Sequence, residues 1–153
     1  MAFEEDPKFE TFIASVNVSA LSYTSTDGST INYASGGIGY GCAVKHDVAT
    51  GISGDVILAG VSGDKALGIC GEAPAVTAGQ NLRVCIRGVC KAQAGAAVAV
   101  GDTVMVGNAA GQLITATAAT ANFVVGRALT AATALGDLFS VEVRITDGKV
   151  TLP

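Results

Sequence analysis

The chain has no tryptophan, one histidine and only 5% aromatic residues. Charge is scarce too: 14% of the residues, where a soluble domain commonly carries about 25%. Each shortage excludes something. Nine Lys and Arg, scattered singly in a chain of net charge −4, make no basic patch, which argues against a nucleic-acid partner. No apolar run approaches the roughly 18 residues a membrane-spanning helix needs. The opening MAFEEDPKFE lacks a basic region followed by an apolar run, so it does not read as a signal peptide. Cys42, Cys70, Cys85 and Cys90 form no CxxC pair, and His46 is the only histidine, so a zinc site of four Cys or His ligands is not expected. Without a secretion signal the thiols are expected in a reducing compartment, and the spacing leaves their pairing open. Cys85 and Cys90 are five apart, which would put them on opposite faces of a straight strand, unless Gly88 bends it.

Catalysis is equally short of parts. His46-Asp47 is the one catalytic-looking pair, but neighbours in a strand point to opposite faces, which suits no triad. No set of acid, base and nucleophile can be assembled. The chain therefore reads as a non-enzyme with no cofactor, metal or small-molecule substrate.

What is present is glycine (20 residues) and small or β-branched side chains, in a chain that is 50% hydrophobic. At 153 residues this is one domain with an extension. So little charge on so much apolar character implies a surface rich in Ser, Thr and Gly, much of it covered by other chains.

Residues 1–35 read as an N-terminal arm. Pro7 opposes a helix there. Phe12–Tyr23 alternates loosely, as a strand or extended segment, and the Ser/Thr/Gly-rich stretch after it buries too little to order alone. Residues 36–146 read as a β-domain and 147–153 as a short tail. Strands are expected from Cys42, within Ile52–Val61, over Lys65–Cys70 and over Asn81–Val89, with Gly88 marking a bulge or bend. Others follow over Thr103–Val106, Leu113–Thr117, Phe123–Ala128 and Phe139–Ile145.

One device punctuates them. Gly54-Asp55, Gly79-Gln80, Gly101-Asp102 and Gly136-Asp137 each precede an apolar run. Glycine takes positive φ without steric cost, and Asp can bond its own turn backbone, so each pair should launch a strand. The expected fold is all-β: a small antiparallel barrel or sandwich with at most one short helix, plus the extended arm. Ser62-Gly63-Asp64-Lys65-Ala66 has the look of a lipoyl carrier hairpin, but Lys65 runs straight into an apolar strand instead of sitting between matched ones.

The order of Ala43-Val44-Lys45, Gly54-Asp55-Val56-Ile57-Leu58-Ala59-Gly60, Gly63-Asp64-Lys65-Ala66-Leu67-Gly68-Ile69, Ala78-Gly79-Gln80, Arg87-Gly88-Val89-Cys90-Lys91, Ala94-Gly95-Ala96-Ala97-Val98, Ala99-Val100-Gly101-Asp102, Val124-Val125-Gly126-Arg127-Ala128-Leu129, Gly136-Asp137 and Val141-Glu142-Val143 resembles the bacteriophage capsid cement, or head decoration, proteins. The resemblance implies a protein made in the host cytoplasm that docks on the exterior of the virion capsid. It would stabilise contacts between capsomers, with the major capsid protein and two further copies of itself (a homotrimer) as partners. The arm would then grip the shell through Phe3, Phe9, Phe12 and Ile13, and Arg83, Arg87, Arg127, Leu129 and Leu135 are candidates for the interface between copies. The four cysteines and the arm depart from the family pattern. The alternative functions are a lipoyl-like carrier module or a tail or spike appendage.

Overall fold

The computed structural model describes residues 7–14, 21–24, 30–33, 38–52, 54–71, 78–117 and 122–150. Phe3 lies outside them. Eleven strands are present: β1 (Lys8–Ala14), β2 (Leu21–Thr24), β3 (Thr30–Tyr33), β4 (Ala43–His46), β5 (Asp55–Leu58), β6 (Gly68–Cys70), β7 (Asn81–Gln93), β8 (Thr103–Val106), β9 (Leu113–Thr115), β10 (Gly126–Ala128) and β11 (Leu138–Val143). No helix occurs among the described residues. The fold is all-β, as the turn pattern implied.

Nine strands form one sheet in the order β1-β5-β4-β6-β7-β11-β10-β8-β9, and β2 pairs with β3 in a separate two-stranded sheet. A further pairing, β1 with β7, closes the first five strands into a hydrogen-bonded ring. All strand pairings are antiparallel except β1 with β5. At the other end of the sheet, a parallel bridge between Ala94 and Leu113 returns β9 to the end of β7.

Strand β7 is the axis of both halves. Its residues up to Arg87 face β1, with Lys8 opposite Arg87, and those from Gly88 face β11, with Val143 opposite Gly88. The change of partner falls on Gly88, whose φ is +90°. A side chain there would be strained, and glycine lets the strand turn without ending. The expected bend is thus real, but it does not terminate the strand, which runs on to Gln93.

The wall formed by β4, β6 and β7 is buried on both faces. Val44, Cys70 and Val84 enter one apolar cluster, with Val56, Leu82 and Ala14. Their neighbours Ala43, Ile69 and Cys85 enter the other, with Phe139, Val141, Val104 and Leu113. Successive side chains of a strand point to opposite faces, so one short apolar strand serves two cores. This is why KALGIC and RVCIR are apolar at adjacent positions. The two halves are also tied by a buried polar relay. Asn108 Nδ2 donates to Gln112 Oε1 (2.7 Å), Gln112 Nε2 to Gln93 Oε1 (3.3 Å), and Gln93 Nε2 to the Tyr40 carbonyl (2.8 Å).

The turn device is confirmed in detail. All four glycines of the pattern have positive φ, +89° at Gly101 and +86° at Gly136 among them. β5 opens at Asp55 itself, β8 directly after Asp102 and β11 directly after Asp137. The backbone N–H of each Asp donates to the carbonyl three residues earlier, Ala99 for Asp102 and Ala134 for Asp137 (both 3.2 Å). The carboxylates of Asp102 and Asp137 accept in return from that residue's N–H (both 2.9 Å), whereas at Asp55 the Ile52 N–H donates to the Thr50 hydroxyl. Gly63-Asp64 repeats the arrangement: Asp64 accepts from the Val61 N–H (3.0 Å) and from Lys45 Nζ (2.7 Å).

These bonds hold two carboxyl groups below the ordinary carboxylate range. For Asp102 the main cause is the Thr115 hydroxyl, then the Ala99 N–H; for Asp137 it is the Thr133 hydroxyl, then the Thr133 and Ala134 N–H groups. A carboxyl whose pKa is lower folded than unfolded stabilises the fold fully above its unfolded value. That contribution is lost as pH falls through the folded value. The melting temperature should therefore drop in acid, below about pH 4. The Asp102→Asn/Asp137→Asn variant should melt lower at pH 7 and show a flatter decline from pH 5 to pH 2. An unchanged acid slope in circular-dichroism melts would refute the assignment.

Candidate functional site

Of the residues expected to grip a partner, three lie on β1. Phe9 registers with Cys85 and packs against the larger cluster, its ring under the Arg83 guanidinium (4.6 Å to the centroid). A Cβ at Gly71 would collide with that ring, so glycine makes its seat. Phe12 packs against the smaller cluster and meets His46 edge-on, ring centroids 6.0 Å apart. Both aromatics serve their own fold. Ile13 is the one that faces solvent, 43% exposed.

Ile13 is not alone there. Its N–H donates to the Gly54 carbonyl (3.0 Å) and it registers with Asp55, the first residue of β5. Asp55 bonds in turn to the Asp47 N–H and the Ile52 carbonyl. The β4–β5 turn therefore sits against the end of β1, and it carries Val48 and Ile52, 89% and 60% exposed. The turn is braced: Ala49 N–H donates to Asp47 Oδ1 (2.9 Å), and the Thr50 hydroxyl to the Asp47 carbonyl (3.2 Å). Three exposed aliphatic residues thus fall at one end of the sheet. The sequence reading missed Val48 and Ile52. Their signal was an aliphatic at each side of a Thr-Gly turn tip, where solvent favours polar residues.

The candidates for contact between copies separate. Arg127 Nε donates to the Gly101 carbonyl (3.1 Å), the Gly101 N–H donates to the Ala128 carbonyl, and Leu129 (41% exposed) follows directly. Val100, 65% exposed, joins this neighbourhood and was also missed. Leu135 is half-buried near the turn before β11. Arg83 stays with Phe9, and Arg87 belongs elsewhere.

Arg87 lines a cleft of about 740 Å³ between the two halves of the sheet. Its apolar lining includes Leu67, Ile86, Val143 and Ile145; its charged groups are Lys65, Arg87, Arg144 and Asp147, beside His46. Lys65 Nζ lies 3.4 Å from Asp147 Oδ1, so this lysine is part of a cleft wall and not a hairpin tip. Arg144 donates to Glu142. His46 is exposed while Asp47 is buried, and the Asp47 carboxylate is bound by its own turn, so the two do not act as a catalytic pair.

None of the four cysteines, all among the described residues, forms a disulfide. The bend at Gly88 does bring Cys85 and Cys90 together. The two thiols hydrogen-bond, and that bond is the main cause raising the Cys90 pKa, with burial adding to it.

The model of a family described as phage cement protein matches residues 38–145, well over half of the chain. Its span takes in every strand of the nine-stranded sheet except β1. No curated protein matches the chain.

Proposed function

The chain belongs to the phage cement protein family and is a structural component of a phage virion, and on that premise we propose that it docks on the outer surface of the head and bridges neighbouring capsomers. The observation that carries this is the braced aliphatic end formed by Ile13, Val48 and Ile52. A cement protein needs no catalysis. It acts by mass action, each buried contact stabilising the assembled shell against its parts. Exposed aliphatics on a hydrogen-bonded turn suit this, because bonds already made in the turn reduce the freedom lost on docking. Phe3 would extend the same grip from the residues before β1. Phe9 and Phe12 support it indirectly by holding β1 in place.

Self-association to a homotrimer is part of the proposal, through the Arg127, Val100 and Leu129 neighbourhood. Arg83, beside Phe9, and Arg87, in the cleft, lie apart from it, and a second side of the interface would have to include them; Leu135 stays a candidate on the turn before β11.

The test is binding of the purified protein to undecorated heads. Burying an aliphatic side chain is worth roughly 1.5–3 kcal/mol, and each 1.4 kcal/mol is tenfold in affinity. Val48→Asp/Ile52→Asp should weaken binding about a hundredfold or more while the melting temperature stays within a few degrees of wild type. Unchanged affinity would remove this end from the interface. Light scattering of the free protein should give the mass of three chains, and Leu129→Arg should reduce it.

A further inference from the structure

We propose that Cys42 and Cys70 form an oxidisable cross-strand pair, which a hydroperoxide closes to a disulfide that clamps β4 to β6. The inference uses the chain's place in a virion, and it does not rest on the shell-docking reading.

Strand register brings the two together. Ala43 lies opposite Ile69 in the antiparallel pairing of β4 with β6, so Cys42 lies opposite Cys70 one step further on. The backbone bears out that step: the Cys70 N–H donates to the Cys42 carbonyl (2.9 Å), and the Gly41 N–H donates to the Cys70 carbonyl (2.8 Å). Directly opposed residues of an antiparallel pair have Cα atoms about 4.5–5.5 Å apart, inside the roughly 4.4–6.8 Å that a disulfide spans. Opposed residues also share a face, and both cysteines enter the smaller cluster with Val44 and Val84. Both are fully buried and both are reduced. Cys85, on the neighbouring strand, enters the larger cluster on the other face of the wall, so it does not compete for Cys70. Tyr40 and Gly71, which flank the pair in sequence, line an opening of about 260 Å³ that admits a molecule little larger than water.

The chemistry balances with hydrogen peroxide as the oxidant. One sulfur attacks it: an S–O bond forms, the O–O bond breaks, and the departing hydroxide leaves as water with the thiol's proton. The second sulfur then attacks the sulfenic sulfur. The S–S bond forms, the S–O bond breaks, and a second water carries off the remaining proton. The two thiols lose two electrons and the peroxide gains them. Burial shields the thiols, so the first step waits on local opening of β6, which is three residues long. The second joins groups already opposed and is intramolecular. The bond would tie β4 to the strand that links it to β7, and would restrict the unfolded chain by closing a loop from Cys42 to Cys70. A virion component passes from a reducing cytoplasm to an oxidising exterior, and this pair would convert that passage into a firmer fold.

Trypsin cuts after Lys45, Lys65, Arg83, Arg87 and Lys91, so each of the four cysteines falls on its own peptide. The reduced full chain is treated with hydrogen peroxide under native conditions, at about pH 8.5, where an ordinary thiol is half ionised. It is then quenched, unfolded, alkylated and digested. The expected product joins the Cys42 peptide to the Cys70 peptide, is lighter than the two by two hydrogens, and is split by dithiothreitol. The melting temperature should rise by about 5–10 °C on oxidation and fall back on reduction. Cys85→Ala/Cys90→Ala should keep both the link and the rise, and Cys70→Ala should lose both. If Cys70→Ala does not fold, the wild-type peptide map decides alone. Cys42 and Cys70 both alkylated after peroxide overturn the proposal, as does a link from either to Cys85 or Cys90, or a link between chains. A link that forms only in denaturant overturns it too, because the native register would then play no part. A link with no rise in melting temperature overturns the clamping role. No heads are present, so failure here leaves the shell-binding test standing.

Discussion

Truncating Phe139 to alanine is expected to cost about 3–5 kcal/mol, the usual range for a large aromatic removed from a packed core. A single domain holds only about 5–15 kcal/mol in total. The argument for the upper part of that range is composition. Phe139 is completely buried, and among the described residues it heads the fully buried side chains by volume. Around it the larger cluster is made of small residues, with Ala92, Ala94, Ala128 and Ala132 beside Val104, Val106 and Val141. Alanine and valine have few torsions with which to collapse into a hole, so most of the cavity would persist. Phe139 also sits opposite Ala92 in the β7–β11 pairing, at the junction of the two halves. Phe139→Leu, which keeps most of the volume, should cost about 1.5 kcal/mol or less. Urea unfolding followed by far-UV circular dichroism checks both, with an unchanged m-value showing that stability alone has moved. A loss under about 1 kcal/mol for the alanine variant would mean that the core repacks freely.

How much of this was legible in the sequence divides by distance along the chain. The turn-and-strand punctuation was legible because its chemistry is local. A glycine that accepts positive φ and an aspartate that bonds a backbone N–H three residues back both act within four residues. Hence β8 begins at Thr103 and β11 at Leu138, next to the Gly-Asp pairs that announced them. The fold class followed from those turns. The bend at Gly88 was legible, but its consequence was not. Whether a strand stops or changes partner at a glycine depends on what lies beside it, here β1 on one stretch and β11 on the next. The thiol contact between Cys85 and Cys90 follows from the same bend.

The surfaces were legible least. Phe9, Phe12 and Ile13 read as one anchor because they are close in sequence. Register divides them: the two aromatics lie against the clusters and Ile13 faces out. Val48, Ile52 and Ile13 form one end only because β1 runs parallel to β5, a pairing across some forty residues with no local mark. The cleft is assembled from β4, the loop before β6, the middle of β7 and the end of β11, so no window of sequence contains it.

That same pairing makes the boundary of the N-terminal extension testable. The sequence reading divided the chain near residue 35, whereas Lys8–Ala14 is a strand of the main sheet. Deleting residues 1–6 should leave the cooperative transition in place. Deleting residues 1–14 should abolish it or lower stability by several kcal/mol. The second deletion removes the partner that β7 meets from Lys8 to Ile13 and that β5 meets at Ile13 and Ala14, so the first ring opens. It uncovers Val56, Leu82 and Val84, now fully or almost fully buried, and strips away Phe9 and Phe12 at roughly 1.5–3 kcal/mol each. It also leaves two unpaired strand edges, which invites association between chains. Thermal melts and light scattering of the two truncations separate the outcomes, and a residue 15–153 fragment that melts like the full chain would make β1 an accessory strand. If the ring does depend on β1, the strand has two duties: its aromatics close the core, and its last turn outward, Ile13, completes the apolar end. Load applied to that end by a shell would then pass along β1 into the pairing with β7, where a run of hydrogen bonds shares it, instead of being carried by a tether that can peel away.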